Sequence, residues 1–132
     1  MIHTLSVRTA SRIEMVDITD KVKELVRSDG IEEGLCHLFV AHTTAGLTIN
    51  ENADPSVQAD ILMILNKVIS DREAYRHSEG NSPAHVKASL MGPNLTVLVT
   101  NRNLFLGTWQ GIYLCEFDGP RTRKVLIKIM AG

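Results

Sequence analysis

Between Ile2 and Arg8 the side chains alternate, with Ile2, Thr4 and Ser6 opposed to His3, Leu5 and Val7. That period of two predicts a strand with Leu5 and Val7 turned inward. A second short strand is predicted over 13–18. Thr19 and Asp20 follow, and either can cap a helix to about Ser28, with Gly30 as its left-handed stop. The run 34–41 predicts a strand that delivers His42-Thr43-Thr44-Ala45-Gly46 at its end, and 47–50 a further short strand. Asp54-Pro55 opens the most clearly marked element: Asp caps, Pro takes the first position, and Val57, Ile61, Ile64, Leu65, Val68 and Ile69 form an apolar stripe at helical spacing. Ser82, as N-cap with Pro83 behind it, opens a shorter helix that Gly92-Pro93 closes. The period then returns to two over 95–100, 109–117 and 123–130, the last two joined by the turn Asp118-Gly119-Pro120. Strands flanking two or three helices, with hairpins at the C-terminal end, predict one α+β domain over 1–132, built on a mostly antiparallel sheet.

The composition narrows the partners more than the fold. Of 132 residues, 44% are hydrophobic and 22% charged, enough for one ordinary core and too apolar for a disordered chain. A formal net charge of −1 recommends neither nucleic acid nor an anionic membrane. No apolar run approaches the roughly 18 residues of a spanning helix. Met1–Arg8 lacks the charged-then-apolar order of a signal peptide. Cys36 and Cys115 fall inside apolar runs and read as buried, reduced thiols, which fits a cytoplasmic protein; a disulfide or metal role for Cys115 is the competing reading.

Chemistry concentrates in His77-Ser-Glu79-Gly-Asn81-Ser-Pro-Ala-His85. His85 falls in the first turn of the predicted helix, where the positive end of the macrodipole disfavours an imidazolium and leaves a lone pair for a metal or a proton. His77 lies on the loop before it, so both rings can reach one point; the competing reading is a solvated loop. His42 closes a buried strand ahead of Thr43 and Thr44, where hydroxyls and backbone amides are free to meet a ligand, or where a strand-end histidine bonds a neighbouring carbonyl. Asn50, Glu51 and Asn52 read as turn residues or as a second wall of the same pocket. Lys87 lies on a different helix face from His85. Trp109 with Gln110 suits a heterocycle, and equally suits plain core. Arg121, Arg123 and Lys124 make a compact basic group suited to phosphate, against which Arg121 could instead clamp Glu116 or Asp118. The spacings match no zinc finger, Walker loop, nucleophile elbow or dinucleotide fingerprint. Three imidazoles in polar settings, His42, His77 and His85, with an open water position would be a catalytic-type metal set.

Taken together, His42-Thr-Thr-Ala, Asn50-Glu51, His77-x-Glu-Gly-Asn-x-x-x-His85-x-Lys87, Gly107-x-Trp-Gln110 and Glu116-x-Asp-Gly-Pro-Arg121 resemble the YjbQ-like family, also called the secondary thiamine-phosphate synthase family. The resemblance runs from about Ile2 to Met130. It implies a small α+β fold, a homotrimer, and a polar pocket with a histidine-bound divalent metal, zinc or else magnesium, near subunit boundaries. It also implies a transferase that couples a pyrimidine-methyl diphosphate to a thiazole phosphate and releases pyrophosphate. On this chain His42, His77 and His85 would hold the metal, and Glu79, Lys87 and Glu116 would be catalytic. Thr43, Thr44, Asn50, Glu51, Asn81, Trp109, Gln110 and Arg121 would bind the substrate, a small phosphorylated metabolite. The metal would act as a Lewis acid on a diphosphate oxygen, with Lys87 and Arg121 neutralising the charge. Two further readings of the same residues are a metal-dependent phosphoesterase, with Glu79 activating water, and a non-enzymatic metabolite-binding or regulatory protein.

Overall fold

Strand alternation buries two opposite faces in this chain, and the consequence is two sheets rather than the single sheet expected. A computed structural model describes all 132 residues. The elements are β1 (Ile2–Arg8), β2 (Glu14–Asp17), α1 (Thr19–Asp29), β3 (Gly34–Val40), β4 (Ala45–Glu51), α2 (Pro55–Val68), α3 (Ser82–Met91), β5 (Asn94–Thr100), β6 (Asn103–Leu104), β7 (Gln110–Glu116) and β8 (Thr122–Ala131). One sheet has the order β1-β8-β3-β5-β6 and the other β2-β7-β4, every pairing antiparallel. The α+β class holds.

The main core lies between the sheets. Val7, Cys36, Leu38, Val97, Val125 and Ile127 face Leu47, Ile112 and Leu114, and α1 adds Val22 and Val26. The other side of β7 presents Tyr113 and Cys115, and just beyond its end Phe117, to Ala84 and Ala88 of α3 and to Leu62 and Leu65 of α2. Gly46 lets α3 lie close on β4: a Cβ there would sit 2.9 Å from the Met91 Cβ. Both cysteines are free and buried, and burial pushes the Cys115 thiol up to about 12.

Several expectations shift. β4 begins at Ala45, so His42, Thr43 and Thr44 form the link between the sheets rather than the end of a strand. Helix α3 starts at Ser82 with Asn81 as its cap residue, one position earlier than expected. The α2 stripe is only partly covered: no residue of that helix is fully buried, and Ile64 and Val68 are exposed. Helical period reports an apolar stripe, but how much of it is covered depends on what the rest of the chain can reach.

In β7, Glu116 is in phase with Ile112 and Leu114, and in β8, Arg123 is in phase with Val125 and Ile127. Both therefore point between the sheets, and both are essentially inaccessible. Arg123 Nε donates to Glu116 Oε1 (2.9 Å) and Oε2 (3.1 Å), and its Nη2 also bonds Oε2. The same Nη2 reaches the Thr44 carbonyl (3.2 Å) and Oγ1 (2.8 Å). Glu116 accepts in addition from Thr9 Oγ1 (2.8 Å) and from the Asp118 amide (3.0 Å). Burial pushes the Glu116 carboxyl up, but the bonds from Arg123, Asp118 and Thr9 and the guanidinium charge outweigh it, and the net direction is down.

Two outcomes follow from this pair. Glu116→Gln leaves Arg123 charged and unmatched in the interior, and urea unfolding at neutral pH is expected to show a loss of about 3–5 kcal/mol. Because the folded carboxyl titrates below its ordinary 4.5, the unfolded chain binds more protons in the interval between. Stability is thus complete above 4.5 and falls as pH drops through the folded value, and Glu116→Gln should flatten that part of the acid dependence. A variant as stable as the parent, with an unchanged acid slope, would contradict the assignment.

Candidate functional site: a polar pocket at the sheet junction

The residues that the ion pair holds from behind form the wall of a pocket in front of it. Thr43, Thr44, Glu79, Asn81, His85, Asp118 and Arg121 line a hollow of about 420 Å³ with no hydrophobic side chain. Three segments supply them: the β3–β4 link, the loop into α3 with its first turn, and the β7–β8 turn. Gly119 is what lets that last turn pack, since a Cβ there would fall 2.4 Å from the Ser11 carbonyl oxygen. Thr9 fastens the turn, accepting from the Arg121 amide at its Oγ1 (2.9 Å) and donating its own amide to the Arg121 carbonyl (3.0 Å).

Arg121 is aimed by its neighbours. Its Nε donates to the Asp118 carbonyl (2.8 Å) and its Nη2 to Asp118 Oδ2 (3.1 Å), while Nη1 has no partner within the protein. The expected clamp within the turn is thus present, and it leaves one nitrogen of the fork uncommitted. Asn81 Nδ2 donates to the same Asp118 oxygen (2.9 Å), and its buried Oδ1 receives no donor. Glu79 is well exposed, with one oxygen 3.8 Å from His77 Nε2.

The histidines divide. His77 and His85 lie edge to face, their ring centroids 5.3 Å apart. His42 does not join them as a third ligand: its Nε2 accepts the Lys124 amide at 2.9 Å. Only an unprotonated nitrogen can accept, so the ring's proton is on Nδ1 and the neutral imidazole has no further lone pair. Burial first, and then the nearby Arg123 guanidinium, hold His42 below its ordinary 6.5 and keep it in that form. In the single chain His42 is thus engaged apart from the His77–His85 pair, and no group of three or more histidine, cysteine or carboxylate side chains is arranged to hold a metal ion. Metal analysis of protein purified without a tag or added ions addresses the His77–His85 pair directly.

Other expected site residues lie elsewhere. Asn50 and Glu51 pair with Gly111 and Gln110 at one end of the three-stranded sheet, while Ala45 pairs with Glu116 at the other. Seven residues of strand separate the two ends by about 20 Å, so Asn50, Glu51, Trp109 and Gln110 do not meet this pocket. Gln110 instead caps the Gly107 amide (2.8 Å), and Trp109 is exposed. Lys87 is buried against α2, its Nζ bonded to Asn66 Oδ1 and its pKa lowered by that burial. Glu116 is the buried partner of Arg123, not a group that touches ligand. Sequence reasoning left Asp118 out of the site and read Arg123 as part of a surface basic group. The alternation Arg123-Val125-Ile127 was the signal that turns it inward.

The chain matches the family model described as UPF0047 protein YjbQ-like over residues 3–132. It is 50% identical to the UPF0047 protein YugU of Bacillus subtilis, across 98% of this chain and 99% of that protein, and 44% identical to the UPF0047 protein MJ1081 of Methanocaldococcus jannaschii, across 98% and 94%. A crystal structure of a YjbQ/UPF0047 protein from Clostridium acetobutylicum superposes with a TM-score of 0.95 at 52% identity, covering 97% of this chain and 99% of that one. A YbjQ-like protein from Sulfolobus solfataricus, described as being of unknown function, also gives 0.95, at 35% identity, with 100% and 97% covered. These relatives carry no thiamine-phosphate synthase description, and the histidine metal set on which that chemistry was built does not form. The expected metal-dependent transferase, with its phosphoesterase variant, is withdrawn on those findings. What the sequence comparisons and the fold agree on is that the chain belongs to the UPF0047, YjbQ-like, family.

Proposed function

We propose that the pocket at the sheet junction binds a small phosphorylated metabolite, with Arg121 receiving the anionic group. The observation that carries this is a guanidinium fixed by two bonds to its own turn, with Nη1 uncommitted, in a hollow whose seven lining residues are all polar. A planar fork suits a phosphate oxygen in a way that an ammonium does not. Two carboxylates, Glu79 and Asp118, share the lining. They disfavour a bare multiply charged anion and favour a ligand that also presents a donor, such as a hydroxyl or a protonated phosphate oxygen. His85 supplies the one imidazole of the lining.

Self-association as a trimer is proposed with it. Support comes from apolar surface without a partner in the single chain: Leu35, Leu98, Phe105 and Met130 around a hollow of about 540 Å³ on the outer face of the five-stranded sheet, and Met63, Ile64 and Val68 on α2. Patches of this kind mark contact surfaces. A cytoplasmic location is proposed from the two free, buried cysteines.

Calorimetric titration with inorganic phosphate and methyl phosphate tests the pocket. Arg121→Lys is expected to weaken both by about 1–3 kcal/mol, the scale of a charge-assisted hydrogen bond, with a small effect on melting because the Arg121 side of its pair with Asp118 is exposed and a lysine keeps the charge. Unchanged affinity with a lowered melting temperature would leave Arg121 as a turn clamp and nothing more. For the assembly, light scattering at micromolar concentration should return three times the 14.6 kDa chain mass, and a monomer mass would end that proposal.

A further inference from the structure

We infer that the ligand of this pocket carries an apolar tail, and that the hollow on the other side of His85 is the tail's subsite. The inference rests on the phosphate reading above and extends it to the rest of the ligand. A second hollow of about 310 Å³ shares Thr43 and His85 with the polar pocket, so the two adjoin with those residues at the waist between them. Their walls differ in kind. The first is polar throughout, whereas carbon dominates the second, where Ala45, Ala88 and Pro93 form the sides.

Two of the polar groups on the second hollow are already committed inside the protein, while Thr43 and His85 belong to the waist it shares with the polar pocket. His42 Nε2 receives the Lys124 amide, and Ser89 Oγ donates to the His85 carbonyl at 2.9 Å. Beyond those waist residues and the His42 Nδ1 proton, what the hollow offers a ligand is mostly carbon surface, which gains by contact with apolar atoms. Ala45 and Ala88 line it although both are largely buried, Ala45 within the core between the sheets and Ala88 against Tyr113, Cys115 and Phe117. At roughly 30 Å³ per water, the space is on the order of ten water-sized groups, enough for a short alkyl chain. A head that needs hydrogen bonds and a tail that needs none would find the two kinds of wall side by side.

The test is a homologous series, methyl to butyl phosphate, titrated against the full chain. Each added methylene is expected to tighten binding by about threefold to fourfold, the effect of burying one CH₂, until the hollow is filled. Ser89→Phe, at an exposed rim position, should fill the hollow and abolish that gain while leaving methyl phosphate affinity and the melting temperature near those of the parent. Ser89→Leu should do so in part. A flat series with methyl phosphate still bound would overturn the tail subsite and leave the phosphate site standing. No binding of methyl phosphate at all would overturn the underlying reading, and the subsite with it. A chain-length gain that survives Ser89→Phe would put the tail elsewhere and overturn the inference.

Discussion

Everything at the functional end of this molecule hangs on the buried pairing of Glu116 with Arg123. Each side chain comes from a different sheet, so their bond is also the tie between sheets at that end. A carboxylate and a guanidinium withdrawn from water are tolerable only when every lone pair and proton finds a partner. That demand recruits the Thr9 hydroxyl, the Asp118 amide and both oxygens of Thr44. The partners that satisfy the ion pair on one side are, or adjoin, the residues that face the pocket on the other. Net stability need not be the return, since a well-packed apolar pair of similar volume often serves stability as well. What an apolar pair cannot do is hold a hydroxyl, a carbonyl and an amide in place.

The pocket is built from links and turns rather than from element interiors, as function on a rigid scaffold commonly is. The β3–β4 link and the β7–β8 turn are each fastened twice, once to the ion pair and once to a neighbour. Lys124 contributes its amide to His42, and Thr9 exchanges bonds with Arg121. His42 therefore works as a strut. Its neutral form is the one that accepts the amide, and burial and the neighbouring guanidinium favour that form.

Much of the fold was legible in the sequence because its signals are local. Alternation in β1, the apolar strand-like runs of β3, β5, β7 and β8, the Asp54-Pro55 cap and Gly30 each report on a few neighbouring residues, and each lies where the pattern places it. The division into two sheets was not legible, because it depends on which strands find one another across most of the chain. The site was readable in part for the same reason. His85, Asn81, Glu79, Thr43, Thr44 and Arg121 come from three clusters that the chain does bring together. Asn50, Glu51, Trp109 and Gln110 sit on the same strands but at the opposite end, and a motif gives no sense of which end it marks. Glu116 and Lys87 show the other difficulty: a charged residue in a strand or helix reads as chemistry until its burial is known.

The central claim is that the ion pair positions the pocket wall, and native-state hydrogen exchange on the double variant Glu116→Leu with Arg123→Met measures this most directly. The account predicts a folded protein in which the β3–β8 ladder keeps its protection, because those backbone bonds are untouched. The Asp118 amide, which loses its Glu116 acceptor, and the amides of the turn through Arg121 should exchange markedly faster. Protection across residues 117–121 equal to that of the parent, in a variant of similar global stability, would show that the turn holds itself and would contradict the account.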